Sequence, residues 1–591
     1  MFVDLIFANA AIQTGDPTRP RLEPGYLAVT DGHIAAIGPG DVPPEYTAPP
    51  GGIVDLHRQG LLIPGFHDAH IHALEGGLKM IQCNLHDCRT EDEYIQKIRD
   101  YAHGRAGTRE DHPWIIGAGW TMGTFTSGQW PDKTILDAKL RNERPICLDA
   151  RDGHATWVNS AALTLIEQHF KNASWWDDKD PDWENWQKGM FFEGPAGLVS
   201  SLAKELSPPS EKDWQDGLEE AQKQLHRWGI TGWQDALVSD TVHHQYLKAA
   251  QERRLHGRVT AALPLSLDTN WSDELETKCG DKLRKFSKMR HEADPFHGTY
   301  RVESIKIFLD GIIESRKSAL SMPYLGDDHH PKEWAGPTFI PLELLRDLAR
   351  KIALDDNDFA MHFHAIGDRA VHDALEAIRV AREAGSNGRH QIAHLGIVSP
   401  HDIAHFSSLN AIANIQPLWA SHGKQMDDYT IPILPRRLHP WQYPFGSLKK
   451  AGARFAGGSD WSVTSANPLE EMHVAVHRTE PYTDPEVNPF YPEQRIDLDT
   501  AFAAYTSGSA YAGGWEGEAG MLREGNFADL VLLDRDIFEP NARLDRVQVL
   551  ETYVDGNLVY AQASAGSPTA AASRRVAAPD GERVPTRVPQ W

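Results

Sequence analysis

The segment His67-Asp68-Ala69-His70-Ile71-His72 follows the apolar run Leu61–Pro64 after Gly65 and Phe66. In extended backbone, side chains two residues apart point to the same side. His70 and His72 are therefore placed to hold one metal ion between them, and imidazole is a common ligand for zinc and similar divalent ions. An HxH pair is a weak signal in a chain with 29 histidines, and His362 and His364 form a second such pair. Other strand-like runs strengthen it. Lys306 lies inside the run 304–310, with Ile305, Ile307 and Leu309 on the opposite face. A lysine in a strand interior is costly unless it is paired or chemically modified. His364 closes the apolar run 359–365, His394 closes Gln391–His394, and Asp460 follows 455–458. One polar residue at a strand end carries little information. Six donors placed that way form a candidate metal centre, in which His362 can stand in for His364 on geometry alone.

These donors need a scaffold that brings several strand ends together. Strand-like runs at Leu61–Pro64, 230–236, 259–265, 304–310, 359–365, Gln391–His394, 412–417 and 454–458 alternate with amphipathic helical stretches. The clearest helix runs from Asp368, with Val371, Leu375, Ile378 and Ala381 at helical spacing and Gly385 as its stop signal. Asp368 is expected to cap it. Eight strands with crossover helices predict a (β/α)8 barrel, which presents its active site at the C-terminal strand ends. Both chain ends are β-rich, with hairpin signals at Asp31-Gly32 and Asp555-Gly556-Asn557. They predict one small composite β-sandwich domain from residues 1–62 and 518–560. The barrel is expected over 63–82 and 223–517, and the interval 83–222 as an insertion after the first barrel strand that covers the active site. Residues 561–591, rich in Ala, Pro, Ser and Arg, read as a low-complexity tail.

Composition narrows the partners. The chain has 591 residues, enough for several folding units. With 59 Lys plus Arg against 83 Asp plus Glu, the net charge is −24, which argues against nucleic acid and against an anionic membrane. A small-molecule substrate remains, together with further copies of the chain in a homo-oligomer such as a dimer. The four cysteines, Cys83, Cys88, Cys147 and Cys279, form no CxxC pair and are too sparse for a disulfide scaffold. There is no uninterrupted apolar run of membrane-spanning length, and the N-terminus carries an acid where an export signal has bases, so a cytoplasmic protein is expected.

Eight segments then carry a family resemblance: LLIPGFHDAHIH from Leu61, RDGHATWVNSAAL from Arg151, GITGWQDA from Gly229, IKIFLDGIIESRKSA from Ile305, HFHAIGDRAVHDAL from His362, HQIAHLG from His390, GGSDWSV from Gly457 and GNFADLVLLD from Gly525. In order and across nearly the whole chain, they resemble the amidohydrolase superfamily. Within it, the likeness is to the N-substituted formamide deformylase-like branch, amidohydrolase family 3. The resemblance implies metal ligation by His70, His72, Lys306, His364, His394 and Asp460, and it favours His364 over His362. It further implies zinc or a similar divalent metal, one or two ions per chain with two preferred, and a carboxylated Lys306 bridging a binuclear centre. A metal lowers the pKa of bound water from 15.7 towards about 7. The implied reaction is attack of that hydroxide on an amide or related C–N bond (N-formyl, N-acyl or cyclic amide), with Asp460 moving the proton. His154 is the candidate carbonyl donor or substrate contact. Glu193 matches a recurring element of the branch without an assigned role. Trp461, Trp419 and Trp441 are expected to line the pocket around a hydrophobic or aromatic substrate part. An aminohydrolase acting on a heterocycle is the alternative, but that scheme uses an HxxE element, and here Gly367 stands three residues after His364. A non-catalytic barrel kept for binding would show a missing ligand, and none is missing.

Overall fold

The computed structural model describes residues 1–563 apart from 87, 105–111, 122–123, 126–129, 141–143, 152, 154, 174, 181, 266–270, 327–330, 356, 485–486 and 541. Its centre is an eight-stranded parallel sheet whose strands are numbered here in chain order: β1 (Phe66–Ile71), β2 (Ile230–Asp235), β3 (Arg258–Pro264), β4 (Tyr300–Phe308), β5 (Ala360–Ala365), β6 (Gln391–His394), β7 (Ile412–Ile415) and β8 (Arg454–Gly457). Neighbours in sequence are neighbours in the sheet from β1 to β8. The seam between β8 and β1 is joined just past the end of β8: Asp460 N–H donates to the His70 carbonyl at 2.7 Å, and Ser459 N–H to Asp68 Oδ1 at 3.1 Å. The result is the expected TIM-like barrel. On β4, Ile305 and Ile307 are fully buried in the outer core that packs on the helices, while Lys306 is 1% exposed and contacts His70.

One strand differs from expectation. Leu61–Pro64 is not the first barrel strand; it pairs antiparallel with Leu530–Leu533 and parallel with Leu5–Gln13 in a separate sheet. The barrel strand is β1, immediately after it, and the chain passes between the two sheets at Gly65. There the Gly65 N–H donates to the Asp529 carbonyl at 2.9 Å, and an added Cβ would lie 2.0 Å from Thr231 Oγ1. A continuous apolar run concealed two strands of different sheets.

The separate sheet has the order Asn557–Ala561, Val549–Val554, Leu530–Leu533, Leu61–Pro64, Leu5–Gln13, Arg21–Thr30, His33–Pro39, with Ile53–Asp55 beside Leu5–Gln13. Both predicted hairpins are present, with Asp31 and Gly32 at φ 49° and 76° and Asp555 and Gly556 at 51° and 70°. Two successive positive φ values are what a twisted two-residue hairpin requires. Ala561 is still paired in the last strand, across from Glu551. The insertion forms a third sheet, Met190–Phe192, Ala155–Val158, Ile146–Ala150, Ile115–Trp120, Cys83–Asn84. Its Trp175, Trp176, Trp183 and Trp186 pack on one another with ring centroids 5.4–6.0 Å apart.

Helix α1 (Ala73–Ile81) starts at His72 and crosses α2 (Glu211–Arg227) so closely that a Cβ on Gly77 would sit 1.9 Å from the Gly217 carbonyl oxygen. Helix α3 (Asp368–Glu383) ends as predicted, with Gly385 beyond it at φ 99°. Asp368 does not cap it. The residue is the first of the helix, and its Oδ1 accepts the Ser321 N–H at 2.9 Å. The carboxylate that gathers the amides at this end is Asp310, which accepts from Ile366, Gly367 and Ala319 at 2.8–3.0 Å.

Candidate metal centre

Strand β1 supplies His70 from inside the sheet and His72 one residue beyond it. His72 Nε2 lies 3.1 Å from Asp460 Oδ1, and His70 Nε2 lies 3.4 Å from the same oxygen. The donor atoms of these three residues all fall within 4.8 Å of one another, a spacing that could hold a metal ion. Asp460 reaches the site from the loop after β8 with φ 56°, and the neighbouring Trp461 carbonyl accepts the His72 N–H at 2.8 Å. Lys306 approaches from β4, its Nζ 3.3 Å from His70 Nε2. His364 from β5 and His394 from β6 complete the group, with ring centroids 4.4 Å apart and that of His394 4.7 Å from His70. Six separated residues thus meet at one end of the barrel.

His362 takes a different position from its neighbour two residues on. Its Nε2 lies 2.8 Å from His70 Nδ1, so it backs that imidazole from within the barrel. His364 Nε2 and His394 Nδ1 are both buried without a hydrogen-bond partner among the described residues. Buried polar atoms are normally paired, so two neighbouring nitrogens with no partner among the described residues fit a group bound between them. Burial pushes the imidazoles of His70 and His364 down to about 3 and that of His394 well below its ordinary value, which keeps them neutral. Burial opposes ionisation of Asp460 as well, but hydrogen bonds from His70 and His72 outweigh it and hold the carboxylate well below its ordinary range. Burial also brings the Lys306 ammonium down to about 7 against the pull of Asp460. Of these four imidazoles His72 alone is shifted up, by its bond to Asp460 against its burial. Three neutral imidazoles, one ionised carboxylate and a lysine poised for the neutral amine, with His72 beside them, are a donor set suited to a divalent cation.

The three tryptophans separate. Trp419 stacks on His394, with centroids 5.2 Å apart and planes 7° from parallel, and its Nε1 is 3.3 Å from Thr464 Oγ1. The Trp461 side chain instead belongs to the barrel core, over Gly76 and 6.2 Å from the Trp228 ring. Trp441 is half-buried in an apolar cluster with Ile366, Ile397 and Leu434. His154 lies outside the described residues, as does the side chain of Glu193.

Two contributors were not anticipated. Phe308, the last residue of β4, is 37% exposed and sets its ring 5.1 Å from that of His364. It shares a strand face with Lys306, and that parity was the available signal. Asp68 joins the two edges of the barrel, accepting from the His70 and Ser459 backbones at 3.0 and 3.1 Å. At the rim, Lys79 of α1 donates to Ser462 Oγ at 3.1 Å, and Asp149 and Lys204 of the insertion act on it electrostatically.

Known proteins align with this architecture over nearly its full length. A profile described as the amidohydrolase family matches residues 52–560. The Arabidopsis thaliana protein LONG AFTER FAR-RED 3 is 26% identical over 578 residues, covering 94% of this chain and 91% of its own. The N-substituted formamide deformylase of Arthrobacter pascens is 25% identical over 571 residues, covering 94% and 98%. Among solved structures, an uncharacterized metal-dependent hydrolase from Pyrococcus horikoshii OT3 superposes with a TM-score of 0.70 at 20% identity, covering 92% of this chain and 99% of its own. That likeness supports the fold.

Proposed function

The chain belongs to the amidohydrolase family, and from that premise we propose that this metal-dependent hydrolase opens an amide or related C–N bond at the pocket of His70, His72, Lys306, His364, His394 and Asp460. The observation that carries the reading is the convergence of His70, His72 and Asp460 on one point, beside two buried histidine nitrogens with no partner among the described residues. A divalent ion there, zinc by the chemistry of the donors, supplies Lewis acidity and a nucleophile from water at neutral pH.

The chain's own groups do the rest. His70, held neutral by burial, and His72, whose imidazole is raised by Asp460 against its burial, are the ligands from β1, and His362 backs the His70 ring. Asp460, already ionised, is the group to take a proton from the attacking water and return it to the leaving nitrogen. Trp419 on one side and Phe308 on the other flank the histidines with aromatic surface, which supports a substrate with a hydrophobic or aromatic part. The named activity of the Arthrobacter relative agrees with an N-acyl or N-formyl substrate. The insertion comes near the rim at Lys79 and is read as the cover of the pocket, with His154 as a further contact.

We also propose two ions bridged by a carboxylated Lys306. The buried amine, drawn down to about 7, has a substantial neutral fraction to take up carbon dioxide. The lysine does not pair with Asp310, whose oxygens are committed to three backbone amides. Metal analysis of the purified protein, with a panel of formamides, N-acyl amines, N-acyl amino acids and cyclic amides, tests the reading. About two ions per chain in bicarbonate and hydrolysis abolished by a strong chelator are expected. Near-zero metal with chelator-insensitive hydrolysis would end the proposal. A single ion beside an unmodified Lys306 would end the bridged form alone.

A further inference from the structure

Beneath the histidines the barrel is filled by amides joined into one chain. Gln416 Oε1 accepts the backbone N–H of His394 at 2.8 Å, and Gln416 Nε2 donates to Asn414 Oδ1 at 2.9 Å. Asn414 Nδ2 donates to Gln391 Oε1 at 2.8 Å and to the Ala69 carbonyl at 3.0 Å. Gln391 Nε2 donates to Gln234 Oε1 at 3.0 Å, and Gln234 Nε2 ends on Ser304 Oγ at 2.6 Å. Each of these side chains is at most 1% exposed.

Two backbone anchors fix the polarity of this chain. The N–H of His394 can only donate and the carbonyl of Ala69 can only accept. Gln416 must therefore turn its oxygen to His394 and its nitrogen to Asn414, and every later amide follows in the same sense. Reversing one link would set oxygen against oxygen or NH2 against NH2 in a buried site. The end that receives this order is unusual. His394 sits at φ 80°, a region costly for any residue but glycine, and its ring lies flat on Trp419 with Nδ1 lacking a partner among the described residues. A strained backbone persists only where its surroundings over-determine it, and the Gln416 bond is one such determinant.

We propose that Gln416 is a positioning residue for His394, and that the oriented chain Gln416, Asn414, Gln391, Gln234 fixes the pose in which His394 faces a metal ion. The inference rests on the reading of His394 as a ligand. It goes further by assigning the pose of that ligand to amides drawn from its own strand β6, from β7 and its end, and from β2. An ordinary buried filler would affect stability alone, so the two roles part in metal affinity.

The test uses the full chain and Co2+ as the probe, with affinity from chelator competition, the Co2+ absorption spectrum, and the melting temperature of the metal-free protein. Gln416→Met removes both amide ends at similar volume. It should weaken Co2+ about 10- to 100-fold, the usual effect of losing an outer-sphere partner, and change the spectrum. Gln234→Met, at the far end, should lower the melting temperature comparably while weakening Co2+ less than about threefold. Gln416→Met with wild-type affinity and spectrum overturns the proposal, and so does a Gln234→Met loss as large as that of Gln416→Met. If Gln416→Met does not fold, Asn414→Leu and Gln391→Met apply the same criterion, with losses that fall with distance from His394; equal losses overturn it. His394→Asn separates the two layers of reasoning. Unchanged Co2+ binding in that variant defeats the ligand reading itself, whereas a loss there with none in Gln416→Met defeats only the amide chain.

Discussion

Arg258, the first residue of β3, rivets the barrel to the sheet built from the chain ends, and Arg258→Met should loosen that joint measurably. Its guanidinium is 1% exposed and forks onto Asp529 with two bonds of 2.9 Å. It also pairs with Asp555, donates to the Gly298 carbonyl at 2.7 Å, and lies 3.6 Å from the centre of the Phe527 ring. Removing one partner of a buried pair typically costs about 3–5 kcal/mol, because the other charge is left stranded. Here that charge is Asp529, at 4% exposure. One kcal/mol moves a melting temperature about 2–4 °C in units of 150–250 residues and less in longer ones, so a fall on the order of 5–10 °C is expected. The double variant Arg258→Met, Asp529→Leu removes both charges and should recover about half of the loss. Full recovery is not expected, since the Asp555 N–H loses its acceptor on Asp529. Scanning calorimetry of the four proteins in the cycle gives the coupling. A single variant that melts within 1 °C of wild type, or a double variant no better than the sum of the singles, would refute the reasoning.

Acid should destabilise the fold through buried neutral histidines such as His226. Burial lowers it to about 4, and its Nε2 lies 2.8 Å from the His256 carbonyl. The unfolded chain binds this proton near pH 6.5 and the folded chain only near 4, so the contribution is complete above 6.5 and falls by about 1.4 kcal/mol per pH unit between the two. His226→Gln should flatten the dependence of melting temperature on pH in that window, and an unchanged slope would contradict the assignment. Gly77→Ala should force α1 and α2 apart, since backbone stands on both sides of the contact. A loss of about 1–3 kcal/mol in a melting experiment, with weaker metal retention because His72 leads directly into α1, is expected. Trp419→Ala and Phe308→Ala should raise KM for an aromatic substrate more than for a small aliphatic one. Equal effects on both substrates, measured by steady-state kinetics, would remove the aromatic walls from the account.

Much of this architecture was legible because barrel strands are short apolar runs closed by polar residues. β2 through β8 lie within a few residues of the runs read from the sequence, and Gln391–His394 coincides with β6. The hairpins were legible because their Asp-Gly steps lie between β-rich alternating runs, unlike Asp216-Gly217, which sits inside α2. The first barrel strand was not, because Leu61–Pro64 and β1 are almost contiguous and buried throughout, and hydropathy does not say which sheet a strand joins. The direction of Trp461 was hidden for a related reason. Adjacency to Asp460 fixes its backbone, but Gly76 opened a slot in α1 that draws the ring into the core. The amide chain was least visible. Gln234, Gln391, Asn414 and Gln416 are ordinary residues in three separate segments, and only barrel closure brings Gln234 to the others.

The crossing at Gly65 also sets an order of assembly during synthesis. His70 and His72 emerge from the ribosome early, at the end of a strand that follows Leu61–Pro64 after Gly65; the antiparallel partner of Leu61–Pro64, Leu530–Leu533, is made near the end. Asp460, which closes the seam against β1, likewise comes several hundred residues later. At about 5–20 residues per second, this gap lasts on the order of tens of seconds. Throughout it, one apolar stretch spanning two strands waits without one partner in either sheet. A ribosome stalled before residue 460 would thus hold a nascent chain with its first metal-binding pair made but unsupported, a candidate client for the chaperones that shield exposed strand edges.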